Sequence, residues 1–262
     1  MIRAAAILAA LCLPMAPALG QAPALGQDRP PERPTEPLSA PAATSGPAVP
    51  TPDGEPAAVL GPPLPPAWWL LRETDVELAA CKAALTAMGT VFQDQPPITG
   101  DEDRDCGIAR PIRVEQILPG LALEGGAVMR CATAQALGSW ARDFLQPAAA
   151  RLPGAPQVTG LRLGTTYDCR PRVGTGQEVP KLSEHALGNA IDIAGVVLSR
   201  GDPIAIQPRT DTGDLAEAFQ GTLRASGCLF FSTVLGPGSN AAHDDHLHLD
   251  TALRPGGWRL CQ

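Results

Sequence analysis

The chain has 262 residues, 44% of them hydrophobic and 18% charged, which suits a globular protein of one or two domains. Twenty basic residues against 27 acidic ones leave a net charge of −7 with no basic stripe or Lys cluster, which argues against a nucleic-acid partner. Twenty-nine Pro and 27 Gly exceed what one packed domain uses, so part of the chain is expected to be linker.

The N-terminus reads as a targeting segment. Arg3 supplies a positive charge, Ala4 to Leu13 are apolar, and Ala16-Pro17-Ala18-Leu19-Gly20 offers the small residues that a signal peptidase cleaves. An apolar run of about ten residues falls short of the roughly 20 that span a bilayer. Ala-Pro-Ala-Leu-Gly-Gln occurs twice in tandem, at 16–21 and 22–27, so cleavage is expected near Gly20 or Gly26, with a signal peptide over 1–26. A lipid anchor on Cys12 is disfavoured by the bulky Leu11 before it. No later segment is apolar and long enough for a membrane helix, so the mature chain is expected to have no membrane span. Residues 27–66 are rich in Pro, Ala, Ser and Gly and should form an extended spacer, because they cannot bury enough apolar surface to offset their ordering entropy.

The domain then covers 67–262, starting at Trp68-Trp69-Leu70. Glu73–Met88 is predicted helical, with Val76, Leu78, Ala79, Cys81, Leu85 and Met88 near one face and Gly89 as the stop. Val91-Phe92 and Ile112–Ile117 read as short strands. Ala122–Gln146 is expected to include a helix through Ala134, Leu137, Trp140 and Leu145 that Pro147 ends. Leu161–Tyr167 and Ile191–Ile193 read as strands, Asp214–Ser226 as an amphipathic helix, and Phe230–Leu235 and His246–Thr251 as the last strands. Helices interleaved with short strands predict an α+β domain with a small antiparallel sheet.

Removing Cys12 with the signal leaves Cys81, Cys106, Cys131, Cys169, Cys228 and Cys261. An even number in an exported chain predicts three disulfides, and none of the six sits at a zinc spacing. Fifteen pairings are possible; joining neighbours in sequence gives Cys81–Cys106, Cys131–Cys169 and Cys228–Cys261.

All four histidines fall in two short segments, Ser183-Glu184-His185-Ala186-Leu187-Gly188-Asn189-Ala190-Ile191-Asp192 and His243-Asp244-Asp245-His246-Leu247-His248-Leu249-Asp250. On a strand, His246, His248 and Asp250 share one face while Leu247 and Leu249 share the other, the pattern of a functional face over a packed one. His185 and Asp192 are seven apart, which on one strand puts them on opposite faces. The chain must therefore change conformation between them, at Gly188-Asn189. Taken singly, each residue has an ordinary reading, as a surface histidine or a solvent-facing aspartate. Jointly, neutral imidazoles and a carboxylate suit Zn²⁺.

The pattern Ser-x-His-x-x-Gly-x-Ala-x-Asp followed by a late His-x-His resembles the zinc peptidases that share a fold with D-Ala-D-Ala carboxypeptidases, penicillin-insensitive murein endopeptidase and the hedgehog signalling domain. The bacterial extensin-like C-terminal domain family is more similar still, from Cys81 to Cys261, through Cys-Gly at 106–107, Tyr-x-Cys-Arg at 167–170, Ser-Glu-His-Ala-x-Gly and His-x-x-His-x-His-Leu-Asp. The resemblance implies a disulfide-stapled zinc-peptidase core with His185, Asp192 and His248 as metal ligands. It implies that His246 stands beside the active-site water as the base, with His243 a further histidine of the site. Asp245 falls where the carboxypeptidases carry a Glu base. Arg170 resembles a residue that binds substrate and steadies the oxyanion, and Ser183 either supports His185 or touches substrate. Together these imply a periplasmic or secreted metallopeptidase acting on peptidoglycan stem or cross-link peptides. Two other readings stay open: a zinc-bearing module that binds wall peptide without cutting it, and a disulfide-stapled structural envelope protein.

Overall fold

The computed structural model of the protein describes residues 64–262, so the expected signal peptide and all but the end of the Pro-rich linker lie outside the described residues. The order of elements is α1 (Ala67–Leu70), α2 (Asp75–Ala87), β1 (Val91–Asp94), β2 (Ile98–Thr99), β3 (Gly107–Ile108), β4 (Pro111–Leu118), β5 (Leu121–Arg130), α3 (Cys131–Trp140), α4 (Gln146–Ala149), β6 (Val158–Leu163), β7 (Ala190–Leu198), β8 (Ile204–Ala205), α5 (Leu215–Gly227), β9 (Thr233–Leu235), β10 (Leu247–Asp250) and β11 (Leu260–Cys261).

Local chemistry explains the helix boundaries. Thr74 and Glu77 form a reciprocal cap on α2: the Glu77 amide donates to Thr74 Oγ1 at 3.2 Å and the Thr74 amide to Glu77 Oε2 at 2.8 Å. Asp214 caps α5 by accepting from the Glu217 amide at 2.7 Å. Helix α3 does not stop at Pro147. A π-helical turn, Ala141–Leu145, joins it to α4, and Pro147 lies in the first turn of α4. A wider turn relieves the clash that a proline ring makes with the preceding carbonyl, and the missing N–H costs little at a helix start.

Nine strands form one mixed sheet in the order β1-β4-β5-β6-β7-β10-β9-β11, with β8 also on β7; β2 and β3 pair separately. The expectation of a small antiparallel sheet is thus corrected. The β5/β6 and β9/β11 pairs are parallel. The α3–α4 segment between β5 and β6 is long enough to carry the chain back to the same end of the sheet, which a parallel neighbour requires. Strand β5 occupies the first part of the segment 122–146 expected to include a helix, and α3 follows it directly through Ala134, Leu137 and Trp140. In β5 the buried residues Leu121, Leu123, Ala127 and Met129 alternate, but Gly125-Gly126 interrupts the period.

Helices α2, α3 and α5 pack on the sheet through a single apolar cluster that includes Leu85, Leu137, Trp140, Phe219 and Leu223. Val76, read as inward, is instead exposed. From the strands the cluster takes Ile191, Ile193, Leu247 and Leu249. Ile191 and Ile193 of β7 and Leu247 and Leu249 of β10 therefore face the core, and Asp192, His248 and Asp250 are turned to the other side of the sheet.

Three disulfides tie the domain: Cys81–Cys131, Cys106–Cys169 and Cys228–Cys261. The neighbour pairing holds only for the last. Helix α2 packs against α3, so Cys81 meets Cys131 at the start of α3 rather than the nearer Cys106. Cys106, beside β3, joins the loop after β6 instead. Three disulfides fit an extracellular compartment. No helix among the described residues is long and apolar enough to cross a membrane.

Trp140 is fully buried, and its indole N–H donates to Ser226 Oγ at 3.0 Å, linking α3 to α5. Trp140→Ala in the oxidised protein is expected to lose about 3–5 kcal/mol in urea unfolding. An unchanged midpoint would show that the core does not depend on this contact.

Candidate metal centre

His185 lies in a single 3-10 turn, Glu184–Leu187. Ser183 caps it, with Oγ accepting from the His185 amide at 3.4 Å. The turn ends at Gly188, whose φ of 66° is left-handed and whose missing side chain leaves room for Ile108. That break separates His185 from β7, as the spacing required. Asp192 sits in β7 directly across from His248 in β10.

The three side chains converge. His185 Nε2 is 3.2 Å from Asp192 Oδ1 and 3.1 Å from His248 Nδ1, and His248 Nδ1 is 2.9 Å from Asp192 Oδ1. One ligand atom from each residue lies within 4.8 Å of the others, all three residues are buried, and together they could hold a metal ion. The far ring nitrogens are anchored. His185 Nδ1–H donates to the Thr166 carbonyl at 2.7 Å, and His248 Nε2–H to Asp250 Oδ2 at 3.1 Å. Such outer bonds select the tautomer that turns a lone pair inward. Three electron-donating atoms then face one another, and the arrangement calls for a positive charge among them. Burial opposes charge on His248, but hydrogen bonds to Asp192 and Asp250 outweigh it and push its pKa up to about 9. Burial likewise opposes charge on Asp192, yet the bonds to His185 and His248 hold its carboxyl well below the usual range. A proton or a metal cation can supply that charge, and an N,O,N set is of the kind that binds zinc.

The remaining candidates surround this cluster. His246 Nε2 is 3.6 Å from Asp192 Oδ1, while its Nδ1–H donates to Asp245 Oδ1 at 2.8 Å. The Asp245 side chain is otherwise exposed, so it holds His246 rather than reaching the cluster itself. The His243 ring lies 5.3 Å from that of His246 and 5.7 Å from that of His248, and its Nδ1–H donates to Asn240 Oδ1 at 2.8 Å. Burial and the neighbouring imidazoles lower the His243 pKa to about 4. Arg170 and Ser183 line the same cleft, of about 150 Å³, as the three ligand candidates; the Arg170 Nε–H donates to Asp168 at 2.8 Å. A larger groove of about 930 Å³ between α2, α3 and the start of β6 contains none of these residues.

Other site features escape the motif reading. Asp250 shares the His248 face, yet its role as partner of His248 Nε2 shows only in the structure. The Thr166 carbonyl is backbone and leaves no sequence signal. Glu184 is buried behind the ligand turn, accepting from Arg172 Nη2 at 2.8 Å and from Asn189 Nδ2 at 2.9 Å; Asn189 Oδ1 in turn accepts from Arg130 Nη1 at 2.9 Å. Its partners are 12 and 5 residues away and bind to each oxygen separately.

Fold and cluster define an α+β, disulfide-linked domain with a candidate His–Asp–His metal centre. The chain belongs to the family described as extensin-like protein C-terminus, whose model matches residues 79–262. No curated protein and no solved structure matches it.

A zinc ion held by this cluster should be lost in His248→Ala, since two remaining donors would hold it weakly, and Asp250→Asn should weaken its binding by about 10–100-fold. Elemental analysis and competition with a chromogenic chelator read both. Equal zinc in wild type and His248→Ala would remove His248 from the ligand set.

Proposed function

We propose that the chain is an exported zinc peptidase acting on peptidoglycan stem or cross-link peptides, with the core of the zinc-peptidase fold that its motifs resemble. The observation that carries this reading is the meeting of His185 Nε2, Asp192 Oδ1 and His248 Nδ1 in a cleft, each imidazole fixed by an outer hydrogen bond. Those three atoms would hold the ion and leave a position facing the cleft. When bound, zinc supplies Lewis acidity, polarising a carbonyl and making water acidic near neutral pH.

The protein groups divide the remaining work. With its Nδ1–H given to Asp245, His246 turns its Nε2 toward the cluster, placed to take a proton from water and return it to a leaving amine. Arg170, on the cleft wall, is placed to meet charge developing on the scissile carbonyl. Ser183 serves the site through the backbone turn that aims His185. His243, held by Asn240, closes the His246 side of the cleft.

One feature favours the second reading, in which a zinc-bearing module holds wall peptide without cutting it. The position of a carboxylate base in the resembling carboxypeptidases is taken by Asp245, whose side chain is exposed at the rim.

Zinc-loaded protein incubated with purified muropeptides should generate new free amines and smaller products on chromatography. His246→Ala should keep its zinc and lose about 10²–10⁴ in rate. Full activity in that variant would move the base role elsewhere. Binding without cleavage by the wild type would select the second reading, and neither binding nor cleavage would sink both.

A further inference from the structure

Behind the turn that carries His185 runs a chain of polar side chains that the metal chemistry does not use. Arg130 closes β5, directly before Cys131 opens α3. Its backbone N–H donates to the Gly188 carbonyl at 3.0 Å, which also accepts from Thr133 Oγ1 at 3.0 Å. All three nitrogens of its guanidinium are engaged. Nε donates to Glu73 Oε1 at 2.9 Å, Nη1 to Asn189 Oδ1 at 2.9 Å and Nη2 to the Leu71 carbonyl at 2.6 Å. The Arg130 side chain is 17% exposed and that of Glu73 9%. Asn189, which is buried, passes the link on: its Nδ2 donates to Glu184 Oε2 at 2.9 Å, and its carbonyl accepts from the Thr251 amide at 3.0 Å. None of Arg130, Glu73 and Asn189 lines the candidate metal cleft.

These bonds converge on the segments that carry the ligand candidates. Glu184 immediately precedes His185, Asn189 stands three residues before Asp192, and Thr251 follows Asp250, the partner of His248. One guanidinium thus grips the turn between His185 and Asp192 and, on its other side, the segment 71–73 between α1 and α2. A single 3-10 turn has few and poorly aligned hydrogen bonds of its own, so its outward ties decide where the His185 ring points. A buried ion pair adds little net stability over apolar side chains of the same volume, yet its fork of hydrogen bonds is satisfied in one arrangement only and so fixes direction.

We infer that Arg130 is a positioning residue for the candidate metal centre: it ties the N-terminal segment 71–73 to the turn that aims His185, and so sets how tightly the three donors hold a cation. The inference rests on the metal reading above and adds to it a support outside the cleft. The first residues of the domain thereby belong to the frame of the site.

The test reads zinc affinity by competition with a chromogenic chelator, and local order by amide hydrogen exchange of the metal-free protein. Arg130→Gln should bind zinc about tenfold more weakly than wild type. Its metal-free form should lose protection across 184–189, where the Gly188 and Asn189 amides bond within the turn, while α5 exchanges as before. Arg130→Lys should recover part of the affinity, since an ammonium keeps the charge and some of the contacts. Glu73→Gln should weaken binding in the same direction, and adding it to Arg130→Gln should cost nothing further, because both act through one guanidinium. Trp140→Phe, which instead removes the core bond to Ser226, should leave zinc affinity at the wild-type value. Wild-type zinc affinity in Arg130→Gln overturns the inference and leaves the metal reading standing. Unchanged exchange in the turn does the same, as does a rise that is uniform through the domain, which would make Arg130 a general prop. If Arg130→Gln does not fold, Glu73→Gln and Arg130→Lys carry the same two measurements, and wild-type values in both overturn the inference. A wild type that takes up no divalent cation overturns the metal reading and the inference with it.

Discussion

The pairing of β7 with β10 sets Asp192 opposite His248, and the site is built on that one register. A slip of either strand by a single residue would turn its Asp192 or His248 into the core and bring Ile191 or Leu247 to the polar face. The apolar cluster prevents this, because Ile191, Ile193, Leu247 and Leu249 are all buried against the helical layer. Packing on one side of the sheet thereby fixes chemistry on the other. His185 arrives from outside the sheet, on a turn whose exit at Gly188 no residue with a Cβ would fill without strain or displacement of Ile108.

Much of this was legible because the informative residues are few and clustered. Four histidines in two short segments, the alternation of His246, Leu247, His248 and Leu249, and the odd spacing from His185 to Asp192 each point to a place in the fold, and the structure brings His185, Asp192 and His248 together. What stayed hidden depends on contacts distant in sequence or on backbone atoms. The Thr166 carbonyl has no side-chain signature. Arg130 reaches Asn189 and Glu73, each nearly sixty residues away. Strand β5 was obscured by Ala, Leu and Met, which serve helices equally well, and by a Gly pair that breaks its alternation.

The cysteine pairs make the same point. Nearness in sequence is a fair guide only where the chain folds back locally, as between Cys228 and Cys261 through β9 and β11. Cys81 instead follows the packing of α2 on α3, and Cys106 follows β3 toward the loop after β6. Side-by-side helices and crossing loops are tertiary facts, and no local pattern records them.

The Cys106–Cys169 bond has a bearing on biosynthesis. Cys169 lies three residues after Thr166, whose carbonyl orients His185, and directly before Arg170. The loop that aims one imidazole and carries one cleft arginine is therefore moored by a covalent link that an oxidising compartment must make. A chain assembled where thiols remain reduced would present the same three donor residues on a looser frame.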